Sequence, residues 1–177
     1  MRTVYDENDV RRTIGTLLDR IAAAFSADSL LNIVGIRTRG EILARRLAER
    51  LADRGFARIG RGVLDITLYR DDLSEIGPRP MVRPTEIHLA MNGHPLLLVD
   101  DVLFTGRSIR AALDALSDFG RPGAVRLAVL VDRGGRELPI APDFTGLTLS
   151  DVPSDHRVNV KLKEIDGRDE ILVEPRG

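Results

Sequence analysis

Cysteine is absent from the 177-residue chain. Disulfides, thiolate nucleophiles and cysteine-ligated metals are therefore excluded. Lysine is nearly absent, with only Lys161 and Lys163, and arginine supplies the rest of the basic charge. No lysine follows a glycine-rich segment, so there is no Walker loop. A strong excess of either charge is also missing: the formal net charge is −1, and bulk electrostatics do not mark a polyanion binder. The three histidines, His88, His94 and His156, lack metal-site spacing. No apolar run approaches membrane-spanning length, and the opening residues Met1 to Asp6 lack an apolar signal region. The expectation is a soluble cytoplasmic protein with no membrane partner.

What remains is regular alternation. Asp6 is placed to cap a helix whose stripe reads Val10, Ile14, Leu17, Leu18, Ile21 and Phe25, a helical period. Leu30 to Ile36 reads as a strand, Arg37 to Gly40 as a loop, and Leu43, Leu47 and Leu51 as the inner face of a helix. Val63 to Tyr69 and Thr85 to Ala90 are further strand candidates. Between them, a polar stretch from about 71 to 84 collects Gly77, Pro78, Pro80 and Pro84 and reads as a long mobile loop. Leu96 to Val99 and Ala124 to Val131 are unbroken apolar strands separated by a helix from about Gly106 to Phe119. The tail, Val158 to Leu162 and Glu170 to Val173 around Asp166-Gly167, reads as a hairpin. These features predict one α/β domain over 1–177: a mainly parallel twisted sheet with helices on both faces, plus a small hood from about 132 to 177 that includes the hairpin.

The most informative stretch is Leu96-Leu97-Leu98-Val99-Asp100-Asp101-Val102-Leu103-Phe104-Thr105-Gly106-Arg107-Ser108. A buried strand ends in two carboxylates, and a loop of small and hydroxyl residues then opens a helix. Amides of such a loop and of the helix N-terminus cradle a phosphate monoester. Thr105 and Ser108 add hydroxyl donors, Gly106 permits close backbone approach, and Asp100 and Asp101 can accept hydrogen bonds from vicinal ribose hydroxyls. Either half alone is commonplace, as a solvated strand end or a Thr-Gly turn. Together and in this order, they match the thirteen-residue fingerprint of phosphoribosyl pyrophosphate (PRPP) binders.

Over nearly its full length the chain resembles the pyrimidine-operon regulator family (PyrR), which has the type I phosphoribosyltransferase fold. The resemblance rests on that fingerprint together with Gly35 to Gly40, Asp65 to Leu73 and Leu130 to Gly134, of which Asp65 to Leu73 is the most family-specific. It implies uracil phosphoribosyltransferase activity, yielding UMP and pyrophosphate from uracil and PRPP. Mg2+ would be held mainly through PRPP, with no metal ligated by the protein alone, and the chain would form a homodimer or homotetramer. By resemblance, Thr38, Arg39 and Gly40 hold pyrophosphate. Arg70, Asp71 and Asp72 begin a loop closing over the site, with Arg70 neutralising the leaving group. Asp132, Arg133 and Gly134 lead into the base-binding hood. Asp100, Asp101, Arg39 and Arg70 are thus the residues nearest the chemistry. A phosphoribosyltransferase for another base carries the same fingerprint.

Relatives that regulate by binding leader RNA usually read Arg-Gly-His-Arg-Glu-Leu in the hood. Here the run is Arg133-Gly134-Gly135-Arg136-Glu137-Leu138. Their first helix carries threonine, arginine and histidine where Gly15, Thr16 and Asp19 stand, and Ala141 and Leu147 replace an arginine and a lysine further along. Phosphate contacts supply much of RNA affinity, so the expectation is an enzyme with RNA regulation disfavoured. The alternative is a UMP-responsive RNA-binding attenuator whose basic face has moved to Arg11, Arg12, Arg20 and Arg136.

Overall fold

A computed structural model describes residues 2–75 and 81–177. Gly77, Pro78 and Pro80, central to the expected mobile loop, lie outside the described residues. Helix α1 spans Glu7–Ala24. The Asp6 carboxylate accepts from the amides of Asn8 and Asp9, and the Asp9 carboxylate accepts from the Asp6 amide, a reciprocal cap. Strands β2 (Leu31–Ile36), β3 (Ile59–Leu64), β4 (Pro95–Leu103), β5 (Ala124–Asp132) and β6 (Phe144–Thr148) form one parallel sheet in the order β3-β2-β4-β5-β6. Helices α2 (Arg39–Asp53) and α3 (Arg107–Ser117) make the crossovers after β2 and β4.

Side chains alternate through this sheet. Ile33, Leu97, Val99, Ala128 and Leu130 face a core shared with α1 and α2. Val34, Ile36, Leu96, Leu98 and Val129 face a second core with α3. A small antiparallel sheet has the order β1-β8-β7, from Arg2–Tyr5, Glu170–Pro175 and His156–Lys161. Its Val160 and Ile171 enter the first core, so the hood and main sheet share one apolar interior.

The structure departs from the expected elements in several places. The second strand occupies Ile59–Leu64 rather than Val63 to Tyr69, and Thr67–Tyr69 is a single 3-10 turn. The Asp65 carboxylate takes the Thr67 amide at 2.8 Å and bends the chain out of the sheet. Thr85 to Ala90 contributes only an isolated bridge between Glu86 and Val63. Strand β4 continues past the aspartates to Leu103. The expected hairpin acquires a third strand, β1, and β6, from within the segment assigned to the hood, extends the main sheet.

The hood is fastened to α2 by charge. In the turn between β7 and β8 lies the short helix α4, Lys163–Asp166. Arg46 reaches it with a fork, bonding Asp169 at 2.8 and 2.9 Å and Glu164 at 2.9 Å. The guanidinium holds Glu164 below the usual carboxylate range. In Asp169, burial pushes upward, but Arg46 and the Lys163 amide outweigh it and the net shift is down. Carboxylates depressed in the folded state stabilise it above their unfolded pKa, near 4, and lose that contribution as pH falls through the folded value. Arg46→Ala is accordingly expected to cost about 1–3 kcal/mol at pH 7, roughly 2–12 °C in Tm, with the deficit shrinking below pH 4. Thermal melts at pH 7 and pH 3 showing the same deficit would contradict this role.

Candidate active site

Strands β2 and β4 are parallel neighbours, and the chain leaves them in opposite directions, to β3 on one side and β5 on the other. Such a switch point opens a crevice at the carboxyl ends of the strands. Here it receives the Arg37 to Gly40 turn from β2 and the Asp100 to Ser108 segment from β4. The Arg37–Thr38 peptide is cis. A cleft of about 470 Å3 lies between them, lined by Thr38, Arg39, Arg70, Asp100, Asp101, Val102 and Ser108 among others. The β2 turn meets β4 as backbone against backbone: a Cβ on Gly40 would stand 2.5 Å from the Val99 carbonyl oxygen, while the turn is itself tight, a Cβ on Gly35 standing the same distance from the Glu41 Cα at the start of α2.

Asp100 is buried, 8% exposed. It accepts from the Asp101 amide at 2.9 Å, and Asp101 accepts from the Val102 amide at the same distance. Burial, and then the neighbouring Asp101 charge, push the Asp100 carboxyl well above its usual range. A carboxylate held this way in a cleft wall gains from any hydroxyl or cation brought to it. Beyond it, Leu103, Phe104, Thr105, Gly106 and Ser108 surround a recess of about 130 Å3 at the start of α3. Gly106 takes φ +91 as the N-cap, and no side chain caps α3, leaving its first amides for an anion. Only the Arg107 amide has a local partner, the Thr105 hydroxyl at 3.3 Å. The Arg107 side chain points elsewhere, to Glu137 at 2.7 Å and Asp71 at 2.8 Å.

The remaining expected site residues are partly engaged within the protein. Arg39 lines the cleft, but its Nη2 donates to both Asp166 oxygens, at 2.9 and 3.2 Å. Arg70 lines the cleft and forms a two-pronged pair with Asp72. Asp71 is held by Arg107 and Arg110, so it fastens the loop to α3. Asp132, Arg133 and Gly134 are not in the lining of the cleft. Asp132 accepts from Arg136 and from the Gly134 amide. Arg133 is buried over the Phe104 ring, 3.9 Å from its centroid, and donates to the carbonyl of His156.

Two cleft residues escaped sequence reasoning as individual groups. Asp65 closes the far wall, its carboxylate accepting from the amides of Thr67 and Arg83. Burial raises its pKa, but these bonds and the nearby Arg37 charge bring the net value down. Arg37 donates through Nε and Nη2 to the Pro84 carbonyl and through Nη1 to Glu41. Both act across the loop, on partners 18 and 47 residues away, and no local signal announces them.

A parallel sheet with an acidic pair and an uncapped helix at its switch point has the architecture of a type I phosphoribosyltransferase. Residues 5–163 match the phosphoribosyl transferase domain family, and the chain belongs to that family and, within it, to the PyrR proteins. It is 49% identical over 168 residues to the bifunctional protein PyrR of Roseiflexus sp. (strain RS-1), covering 94% of this chain and 90% of the relative. It is 50% identical over 165 residues to that of Thermus aquaticus, covering 92% and 90%. In fold it matches the hypoxanthine phosphoribosyltransferase of Trypanosoma cruzi, with a TM-score of 0.72 and 18% identity over 99% of this chain and 98% of that one. No helix of the described residues is long and apolar enough to cross a membrane.

Proposed function

We propose that the protein is a uracil phosphoribosyltransferase that forms UMP and pyrophosphate from uracil and PRPP. The observation that carries this reading is the pairing, across one cleft, of the Asp100–Asp101 wall and uncapped α3 with the Thr38-Arg39-Gly40 turn. The first amides of α3, with Thr105 and Ser108, take the 5-phosphate. Asp100 and Asp101 accept from the ribose hydroxyls, and the β2 turn takes the diphosphate. A donor fixed at three points presents its anomeric carbon in one orientation, which lowers the entropic part of the barrier. Carbon–oxygen cleavage then gives an oxocarbenium-like centre as pyrophosphate departs with the electron pair, and the base nitrogen bonds to that centre while its N–H proton is released to solvent. No covalent nucleophile is required of the protein. The preference for uracil rests on the Asp65 to Leu73 resemblance and on the relatedness to PyrR.

Among the described residues no cluster of three or more His, Asp or Glu is placed to cage a metal. The donor set fits a Mg2+ ion held chiefly by the diphosphate and water, with Asp100 and Asp101 available on the protein side. Bound there, Mg2+ would offset negative charge on the leaving group. The proposal is tested by incubating uracil, PRPP and Mg2+ with the protein. Equal yields of UMP and pyrophosphate are expected, and no UMP would end it.

RNA binding is weak or absent in this reading. Of the exposed charges of α1, Arg11 pairs with Glu7, Arg12 with Asp9 and Asp19 with Arg54, while Arg20 donates to the Thr145 carbonyl and keeps its charge. Arg136 is not free for a relocated basic face, because it donates to the Ile140 and Phe104 carbonyls and to Asp132. Gly135 has a structural reason to stay glycine: its φ is +77, and a Cβ would stand 2.5 Å from Phe104 Cε2. In gel shifts with the organism's own pyrimidine leader transcript, only weak, salt-sensitive binding is expected, with or without UMP. Tight UMP-enhanced binding that a scrambled hairpin fails to show would restore the attenuator.

A further inference from the structure

We propose that Asp166 is a positioning residue for Arg39, gripping one amino group of the guanidinium so that the remaining N–H groups serve the donor's diphosphate. The inference rests on the transferase reading and adds to it a residue from the hood, 127 positions away in sequence. Only Nη2 of Arg39 is committed to Asp166. Its Nε is buried and has no hydrogen-bond partner, while the residue lines the cleft. A buried N–H left unpaired is costly, and an anion entering beside it removes that cost. A bidentate guanidinium contact to a diphosphate also needs the planar fork held in one orientation.

Asp166 is well built for such a grip. Its Oδ2 also accepts from the Leu162 amide at 2.8 Å. The turn around it is fixed by the Lys163 amide on Asp169 at 2.7 Å and by the Arg46 fork on Asp169 and Glu164. The side chain is 17% exposed, so water does not easily replace it. The pyrophosphate turn and the hood therefore share one rigid contact, and the orientation of Arg39 depends on the hood being seated.

The test is a double-mutant cycle read by calorimetric binding of Mg2+-pyrophosphate and of UMP. Asp166→Asn retains an oxygen for the Leu162 amide while removing the charge that holds Arg39. It should weaken pyrophosphate binding roughly three- to tenfold and leave UMP binding unchanged, and R39A should weaken pyrophosphate at least as much. Because Asp166 acts through Arg39, adding D166N to R39A should cause no further loss. D166E should recover part of the affinity. Additive losses, tighter pyrophosphate binding in D166N, an unchanged D166N, or equal losses for UMP and pyrophosphate would each overturn the inference. A wild-type protein that binds neither pyrophosphate nor PRPP would sink the transferase reading itself, an outcome distinct from all of these.

Discussion

Asparagine at position 100 will make the ligand-free protein more stable and a far poorer enzyme. Asp100 is buried beside Asp101, and its carboxyl pKa is pushed up by burial and by the neighbouring charge. A carboxyl raised in the folded state costs stability as pH rises from its unfolded value, near 4, through its folded one. Above that range the penalty is constant. Asp100→Asn removes the penalty and keeps an oxygen for the Asp101 amide, so Tm should rise at pH 7 and be unchanged below pH 4. The catalytic cost runs the other way. Each lost charge-assisted bond to a ribose hydroxyl is worth about 1.5–3 kcal/mol, so the Asp100→Asn, Asp101→Asn pair should lower kcat/KM for PRPP on the order of 10²- to 10⁴-fold. Wild-type kinetics in the double variant would remove the ribose clamp from the account. An unchanged or lower Tm for the single variant at pH 7 would contradict the burial argument.

The second large effect is expected from one methyl group. In Gly40→Ala the new Cβ would meet the Val99 carbonyl at 2.5 Å and the Asp100 Cα at 3.2 Å. Both are backbone of the central strand, so no side chain can yield. The β2 turn must move away from β4, which carries the proposed pyrophosphate site away from the proposed ribose site. Overpacking of this kind costs about 1–3 kcal/mol, roughly 2–12 °C in Tm for a chain of this size. Activity should fall further than stability, because the two halves of the donor site lose their spacing. Gly135→Ala also meets a close neighbour, but that neighbour is the Phe104 ring, which lies outside the strand. A Gly40→Ala variant with wild-type Tm and PRPP KM would show that the close approach does not matter.

The fingerprint was legible in the sequence because everything it needs is local. Strand, acidic pair, glycine and helix start follow one another from Leu96 to Ser108, and the structure keeps them contiguous. The Asp6 cap of α1 was equally local, although its reciprocal bond with Asp9 was not read. What stayed hidden depends on distant partners. Strand β1 has four residues and pairs with β8 at the other end of the chain. Strand β6 is five residues long, with Gly146 at its centre where a Cβ would clash with Thr13 and the Leu130 carbonyl, so it has little pattern to read. Alternation across Leu64, Ile66 and Leu68 suggested a strand, but the Asp65 carboxylate accepts from the Thr67 amide, the chain turns as a 3-10 helix there and Leu68 is left 56% exposed. Arginine takes several unrelated roles in this protein. The same side chain lines the cleft at Arg39, pins the hood at Arg46 and braces the loop at Arg37, and only the distant carboxylate or carbonyl it meets tells these roles apart.

The central claim, phosphoribosyl transfer to uracil, is tested most directly by a base panel. Uracil, orotate, adenine and hypoxanthine are each supplied with PRPP and Mg2+, and the initial rate of nucleotide formation is measured. Uracil should give UMP with kcat/KM well above that of the other three. A faster rate with another base would keep the fold and the donor site but contradict the assigned acceptor, and no nucleotide from any of the four would contradict the account at its root.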